Sequence, residues 1–182
     1  MKFKKVLAAA TVSVMALSSI SCRATERYYN ELEYIERTTP IRCRLDYGDF
    51  WLPGGWEEIS EGSYQYIDPE DESNNAYLTV TYETNDYVGD ENYQFTCNQH
   101  DLICEEFPDA TVNTILEGGI NDDAGAIYRI DTGDMFIYRW YMVRSGDQVL
   151  FEVITDDGEL LETEMYEQNE LELGIMSFEW NR

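Results

Sequence analysis

AIYRIDTGDMFIYRWYMVRSGDQVLFEVIT, residues 126–155, is the stretch the rest of the chain has to pack around. It reads as three strand-like runs joined by two glycine turns, and it holds much of the aromatic mass. A three-residue loop at Thr132-Gly133-Asp134 would place Ala126, Tyr128 and Ile130 on one face with Phe136, Tyr138 and Trp140. Side chains alternate with period two, so a one-residue slip would exchange the faces. A Gly146-Asp147 turn would set Met142 opposite Phe151 and Trp140 opposite Val153. One face is then continuously aromatic and aliphatic. The other mixes Ile127, Ile137, Val143 and Leu150 with Arg129, Arg139 and Glu152. Arg139 and Glu152 become diagonal neighbours, an arrangement that contributes roughly 0.2–1 kcal/mol. A half-exposed ion pair is the plain interpretation of Arg129, Arg139 and Glu152; the floor of an anion site is the sharper one. If this sheet carries a binding site, it is expected on that mixed face.

The mixed composition bounds what the chain can be. Of 182 residues, 43 % are hydrophobic and 14 % aromatic, which marks a folded chain and not an acidic disordered tail. The only lysines are Lys2, Lys4 and Lys5. They precede the apolar run Val6–Leu17, so residues 1–21 have the charge and length of an export signal and are too short to span a membrane. With those three lysines removed, nine arginines face 37 Asp and Glu, a formal charge of −28. That field repels nucleic acid and anionic headgroups, so no nucleic-acid partner is expected and the only membrane contact expected is a lipid anchor. It favours cations and basic partners.

The signal ends in Ser18-Ser19-Ile20-Ser21-Cys22. A cysteine directly after a small residue at this point resembles the bacterial lipobox, in which the thiol receives a diacylglyceryl group. Ser21 and Ile20 fit that motif, whereas Ser19 stands where Leu, Val or Ile is usual. The resemblance implies lipidation of Cys22 and a protein held on the extracytoplasmic face of a cell membrane. The alternative is ordinary cleavage and secretion, with Cys22 a disulfide partner. Residues 22–40 are expected to form a polar tether, and residues 41–182 one folded domain.

Within that domain, Ile41, Cys43, Leu45 and Tyr47 alternate with Arg42, Arg44 and Asp46 as in a strand. Strands are also expected at Ser63–Ile67, Ala76–Tyr82 and Ala110–Leu116, the last broken by Gly118-Gly119. Residues 91–107 switch to helical spacing, with Tyr93, Cys97, His100, Cys104 and Phe107 on one stripe. Leu171, Ile175 and Phe178 form a second stripe in an acidic segment. Each stripe is expected to cover one face of the meander.

Cys97, His100 and Cys104 look like a metal clip, but helix geometry opposes it. Seven residues separate the cysteines by about 10.5 Å along a helix axis. A disulfide needs Cα atoms within about 7 Å, and one zinc needs both sulfurs at about 2.3 Å. Cys43 is a candidate to pair with Cys97 or Cys104 instead. No nucleophile elbow, phosphate loop, zinc helix or dinucleotide fingerprint appears, and a single histidine excludes a two-histidine site. No catalytic residue, metal or cofactor is therefore assigned. Asp68–Glu72 and Asn121–Asp123 carry oxygen ligands that calcium could use, without the spacing of a calcium loop.

Phe50-Trp51-Leu52-Pro53-Gly54-Gly55-Trp56 resembles the F-x-L-P-x-G-W motif of the PsbP/Mog1-like superfamily. The following strand, the helix of about 17 residues, the antiparallel run and the closing Ser177-Phe178 are similar to that family in order. The likeness covers roughly residues 41–180 through short motifs. It implies an α+β fold, a single α/β/α sandwich whose central antiparallel sheet has helices on both faces. Trp56 and Trp180 are then core anchors. The family shares no common active site, so no residue role transfers. The function expected is a lipid-anchored extracytoplasmic binding or accessory protein acting through protein contact. A small-ligand or calcium binder is the alternative, and a hydrolase the least favoured.

Overall fold

A computed structural model of the chain describes residues 39–67, 75–120, 123–156 and 170–181. The 126–155 stretch forms three adjacent antiparallel strands: β7 (Asp123–Asp131), β8 (Phe136–Arg144) and β9 (Asp147–Thr155). Turn length decides which side chains share a face. The β7–β8 turn holds four residues, Thr132–Met135, not three, because Asp131 pairs with Phe136. The Thr132 hydroxyl accepts the Met135 N–H at 3.2 Å, and the Asp131 carboxylate accepts the Gly133 N–H at 2.9 Å. Gly133 takes φ +86°, a conformation natural to glycine. The extra residue reverses the expected faces of β7. Ile127 lies opposite Trp140, and Tyr128 opposite Arg139. The β8–β9 turn is Ser145-Gly146, so Trp140 faces Phe151 and Arg139 lies directly opposite Glu152, not diagonal to it.

These strands are the centre of a seven-stranded antiparallel sheet. Its other members are β3 (Trp56–Ser60), β4 (Ser63–Ile67), β5 (Asn75–Thr84) and β6 (Thr111–Ile120), in the order β3-β4-β5-β9-β8-β7-β6. Strand β6 runs through Gly118-Gly119 where a break was expected. Gly118 pairs with Gly125, and the Ile120 side chain folds over Gly125, where a Cβ would come within 2.5 Å of it. The glycines here admit a side chain; they do not end a strand.

The other strands build a second, smaller sheet. β1 (Ile41–Leu45), β2 (Gly48–Leu52) and β10 (Glu179–Trp180) pair antiparallel in the order β1-β2-β10. Its buried side chains, Cys43, Leu45, Phe50 and Leu52, meet Tyr64, Leu78, Trp140 and Phe151 of the large sheet. Phe50 stands edge-on to Tyr64 at 5.7 Å and to Phe151 at 5.0 Å. Leu171 and Ile175 of the short helix α2 (Glu170–Met176) join this core with Phe178, as their spacing foretold.

The large sheet's opposite face carries the long helix α1 (Asp90–Glu106), which contacts β6, β7 and β8. Its Ile103 packs among Ala126, Tyr128, Ile130, Ile137 and Tyr141. The α/β/α sandwich expected from the family resemblance is therefore not the fold: the chain is mostly β, with a helix on one face of the sheet and a second sheet on the other. Physical size explains the difference. Seven strands span about 29 Å at 4.8 Å spacing. A seven-residue α2 is about 10 Å long, too short to cover that width, so strands supply the cover.

Helix α1 is also rotated from expectation. Its buried residues are Thr96, Gln99 and Ile103, each one position before Cys97, His100 and Cys104. One position turns a helix by about 100°. Two of the three are polar, and they are burial-tolerant because they bond to their own helix. Thr96 donates to the Tyr93 carbonyl at 2.8 Å and Gln99 to the Phe95 carbonyl at 3.2 Å. Cys43, Cys97 and Cys104 are all free thiols. Cys43 lies in the inter-sheet core while the other two ride on α1 beyond the large sheet, so the expected pairing does not form.

Candidate functional site

The mixed-face residues do not assemble into one site. Arg139 and Glu152 lie side by side on the face under α1, whereas Arg129 projects from the opposite face, its guanidinium 4.8 Å from the Phe136 ring centre. Glu106, at the end of α1, reaches down to Arg139 with two hydrogen bonds of 2.6 and 2.9 Å. Glu152 accepts a third from Arg139 at 2.7 Å. Burial works against the Arg139 charge, but the bonds to Glu106 and Glu152 outweigh it and hold the guanidinium above its ordinary pKa. Both carboxylates are already on the guanidinium, and α1 lies over it. Chemically this is a clamp fastening the helix to the sheet, and it leaves no vacancy for an anion.

The calcium candidates give a similar answer. Asp68–Glu72, Asn121 and Asp122 lie outside the described residues, as do the signal segment, Cys22 and the tether up to residue 38. Asp123 belongs to β7, where its carboxylate accepts the Trp180 indole N–H at 2.7 Å. Among the described residues, no group of three or more His, Cys, Asp or Glu is arranged to hold a metal ion. His100 sits with its Nδ1 3.8 Å from the Cys104 sulfur, one helical turn away.

An open cleft of about 770 Å³ lies instead at the edge of the small sheet. Sequence patterning did not single it out, because its lining comes from five separated segments. Arg42 of β1 stands opposite Trp51 of β2, with the guanidinium 5.9 Å from the indole centre. Arg42 forms an ion pair with Asp49, two residues along β2. Across the cleft, Arg144 lies 4.3 Å over the Trp180 ring and is held by Asp147 through bonds of 2.9 and 2.8 Å. Glu179 and the Asp123 carboxylate complete the polar lining, and Met176 and Phe178 the apolar part.

The local sequence explains why Trp51 faces outward. Period two in Gly48–Leu52 buries Phe50 and Leu52, so Trp51 emerges on the other side, 45 % exposed. That alternation was the signal available in the sequence. The position is also held firmly. The Trp51 backbone N–H donates to the Ser177 hydroxyl oxygen at 3.1 Å, and that hydroxyl donates to the Gly174 carbonyl at 2.5 Å. Gly174 of α2 packs so close that a Cβ there would overlap the Trp51 carbonyl oxygen. The two expected core tryptophans differ. Trp56 is buried, while Trp180 is half-buried, edge-on to Phe178 at 4.9 Å, and lines the cleft.

No family model matches the chain, and no curated protein does. Among solved structures, a crystal structure from Bacteroides thetaiotaomicron VPI-5482 is similar, with 13 % identity and a TM-score of 0.44 over 80 % of this chain and 49 % of that one. The chain thus spans about half the length of the solved chain it matches.

Proposed function

We propose that the protein is a non-catalytic ligand-binding protein, displayed outside the cytoplasm on a lipid anchor at Cys22, and that the cleft beside Trp51 is its recognition site. The observation carrying this is the cleft itself: about 770 Å³, lined by an exposed indole and by charged groups held in fixed pairs. Compact-ligand sites fall in the range of about 300–1,000 Å³, and pairing keeps polar groups oriented before a ligand arrives. This favours a small ligand over the protein contact first expected from the sequence. Binding is favoured over catalysis because Ser177, the only hydroxyl nucleophile lining the cleft among the described residues, is engaged in closing α2. The one histidine lies on α1, beyond the large sheet.

A thermal-shift screen of the full-length protein tests the site, since a ligand of the native state raises Tm. Sugars, amino acids, nucleotides, short peptides and millimolar Ca²⁺ should include at least one class that stabilises wild type and not Trp51→Ala. A flat response across all classes refutes the proposal. A response to Ca²⁺ alone that survives Trp51→Ala would instead return the calcium alternative. The anchor is tested by fatty-acid labelling, which Cys22→Ala should abolish; unchanged labelling refutes it.

A further inference from the structure

We infer that the ligand of this cleft is an uncharged, hydroxyl-rich molecule, a neutral glycan. The inference rests on the binding role proposed above and narrows it by charge. An anion is opposed by the protein's formal charge of −25 and by Asp49, Asp123 and Glu179 in the lining. Neither arginine is available to offset that opposition, because Arg42 is paired with Asp49 and Arg144 with Asp147. A cation meets the opposite obstacle. A guanidinium group already stands beside each aromatic surface that would attract it, Arg42 at Trp51 and Arg144 at Trp180, so an added cation meets like charge there. A purely apolar ligand would have to strip water from these charged pairs without replacing its hydrogen bonds.

A neutral polyol meets none of these costs. A carboxylate accepts hydrogen bonds from two neighbouring hydroxyls, and a guanidinium edge donates two in parallel. Both can do so while their ion pair stays intact. The C–H face of a sugar ring carries partial positive charge and stacks on the negative face of an indole. Trp51 is 45 % exposed, so ring surface remains open beside the Arg42 guanidinium, and its backbone is pinned by Ser177 and by the close approach of Gly174. A fixed flat surface bordered by paired donors and acceptors fits a ring that is apolar above and below and hydroxylated around its rim.

The test is a glycan array probed with labelled full-length protein. It would carry neutral hexose, pentose and N-acetylhexosamine oligosaccharides beside sulfated and uronic-acid glycans, with an oligolysine spot as the cationic probe. Binding to at least one neutral class is expected, with no binding to the charged ones. Trp51→Ala should weaken it roughly tenfold, the size of a lost stacking contact, while Trp51→Phe keeps most of it and both variants unfold at the wild-type temperature. Trp51-dependent binding to a charged spot alone would overturn the neutral-glycan inference and leave the binding role standing. Neutral-glycan binding indifferent to Trp51 would place the ligand elsewhere. Silence on every spot, joined to a flat thermal-shift screen, would end both.

Discussion

Arg139 should couple the stability of α1 to pH, and the structure gives the size of the effect. Its guanidinium is 11 % exposed and donates two bonds to Glu106, so the pairing is geometrically good and poorly screened on the arginine side. Glu106 is 50 % exposed, so most of its charge remains hydrated and the pair cannot approach the value of a fully buried one. Discounted for that solvation, Glu106→Gln should cost about 1 kcal/mol, a fall in Tm of roughly 4 °C for a domain of this size. Arg139→Met should cost about 2 kcal/mol, because Glu152, less exposed, also loses its partner. A double-mutant cycle should return a coupling of about 1 kcal/mol. The hydrogen bond from Arg139 holds the Glu106 carboxyl below its ordinary value of 4.5. A group depressed in the folded state stabilises above its unfolded pKa and loses that contribution as pH falls through the folded one. The gap between wild type and Glu106→Gln should therefore stay constant from neutral pH down to about 5 and close below it. Chemical denaturation across that range measures the gap, and hydrogen exchange should locate the loss in Asp90–Glu106. A gap that persists unchanged at pH 3, or a coupling under about 0.3 kcal/mol, would refute the clamp.

Three other outcomes follow from the packing. Gly174→Ala should destabilise by about 1–3 kcal/mol, seen as a lower Tm, because its methyl group would overlap the Trp51 carbonyl. Burial pushes the Cys43 thiol up to about 11, so it should resist a thiol reagent at pH 8 in the native state and react once guanidinium unfolds the chain, by mass mapping. Tyr128→Phe should cost about 1–2 kcal/mol in denaturant titration, since the buried hydroxyl shares its one proton between the Thr96 carbonyl at 2.8 Å and the Glu117 carboxylate at 3.0 Å.

Local pattern made strands, helix positions and the α2 core stripe legible. Leu171, Ile175 and Phe178 are buried where their spacing put them. Quantities that depend on one residue more or less were not legible. The β7–β8 turn has four residues because Thr132 closes on Met135, and no propensity distinguishes that from a three-residue turn. Helix α1 buries Thr96 and Gln99, which hydrophobicity ranks as surface residues, because their hydrogen bonds are satisfied on the helix itself. The architecture was misread for a different reason. An alternating strand states that one face is buried without stating against what, so β1 and β2 fitted a central sheet as well as a covering one. Trp51 was not read from the sequence as outward-facing, although the alternation Phe50-Trp51-Leu52 carried that signal, and its neighbours Arg144, Ser177 and Trp180 come from distant segments that only the fold unites.

The pairing of β10 with β2 has a consequence for the order in which the chain can fold. Glu179 and Trp180 complete the small sheet with Asp49 and Gly48, and the Asn181 side chain bonds to the Leu45 and Asp46 carbonyls at 2.9 and 3.1 Å. Those contacts join residues some 135 positions apart. Phe178, which closes on Phe151, becomes available only at the same late moment. During synthesis the part of the large sheet's aromatic face that Phe178 covers must therefore wait until residues 178–181 emerge. Such long-range closure makes for slow folding.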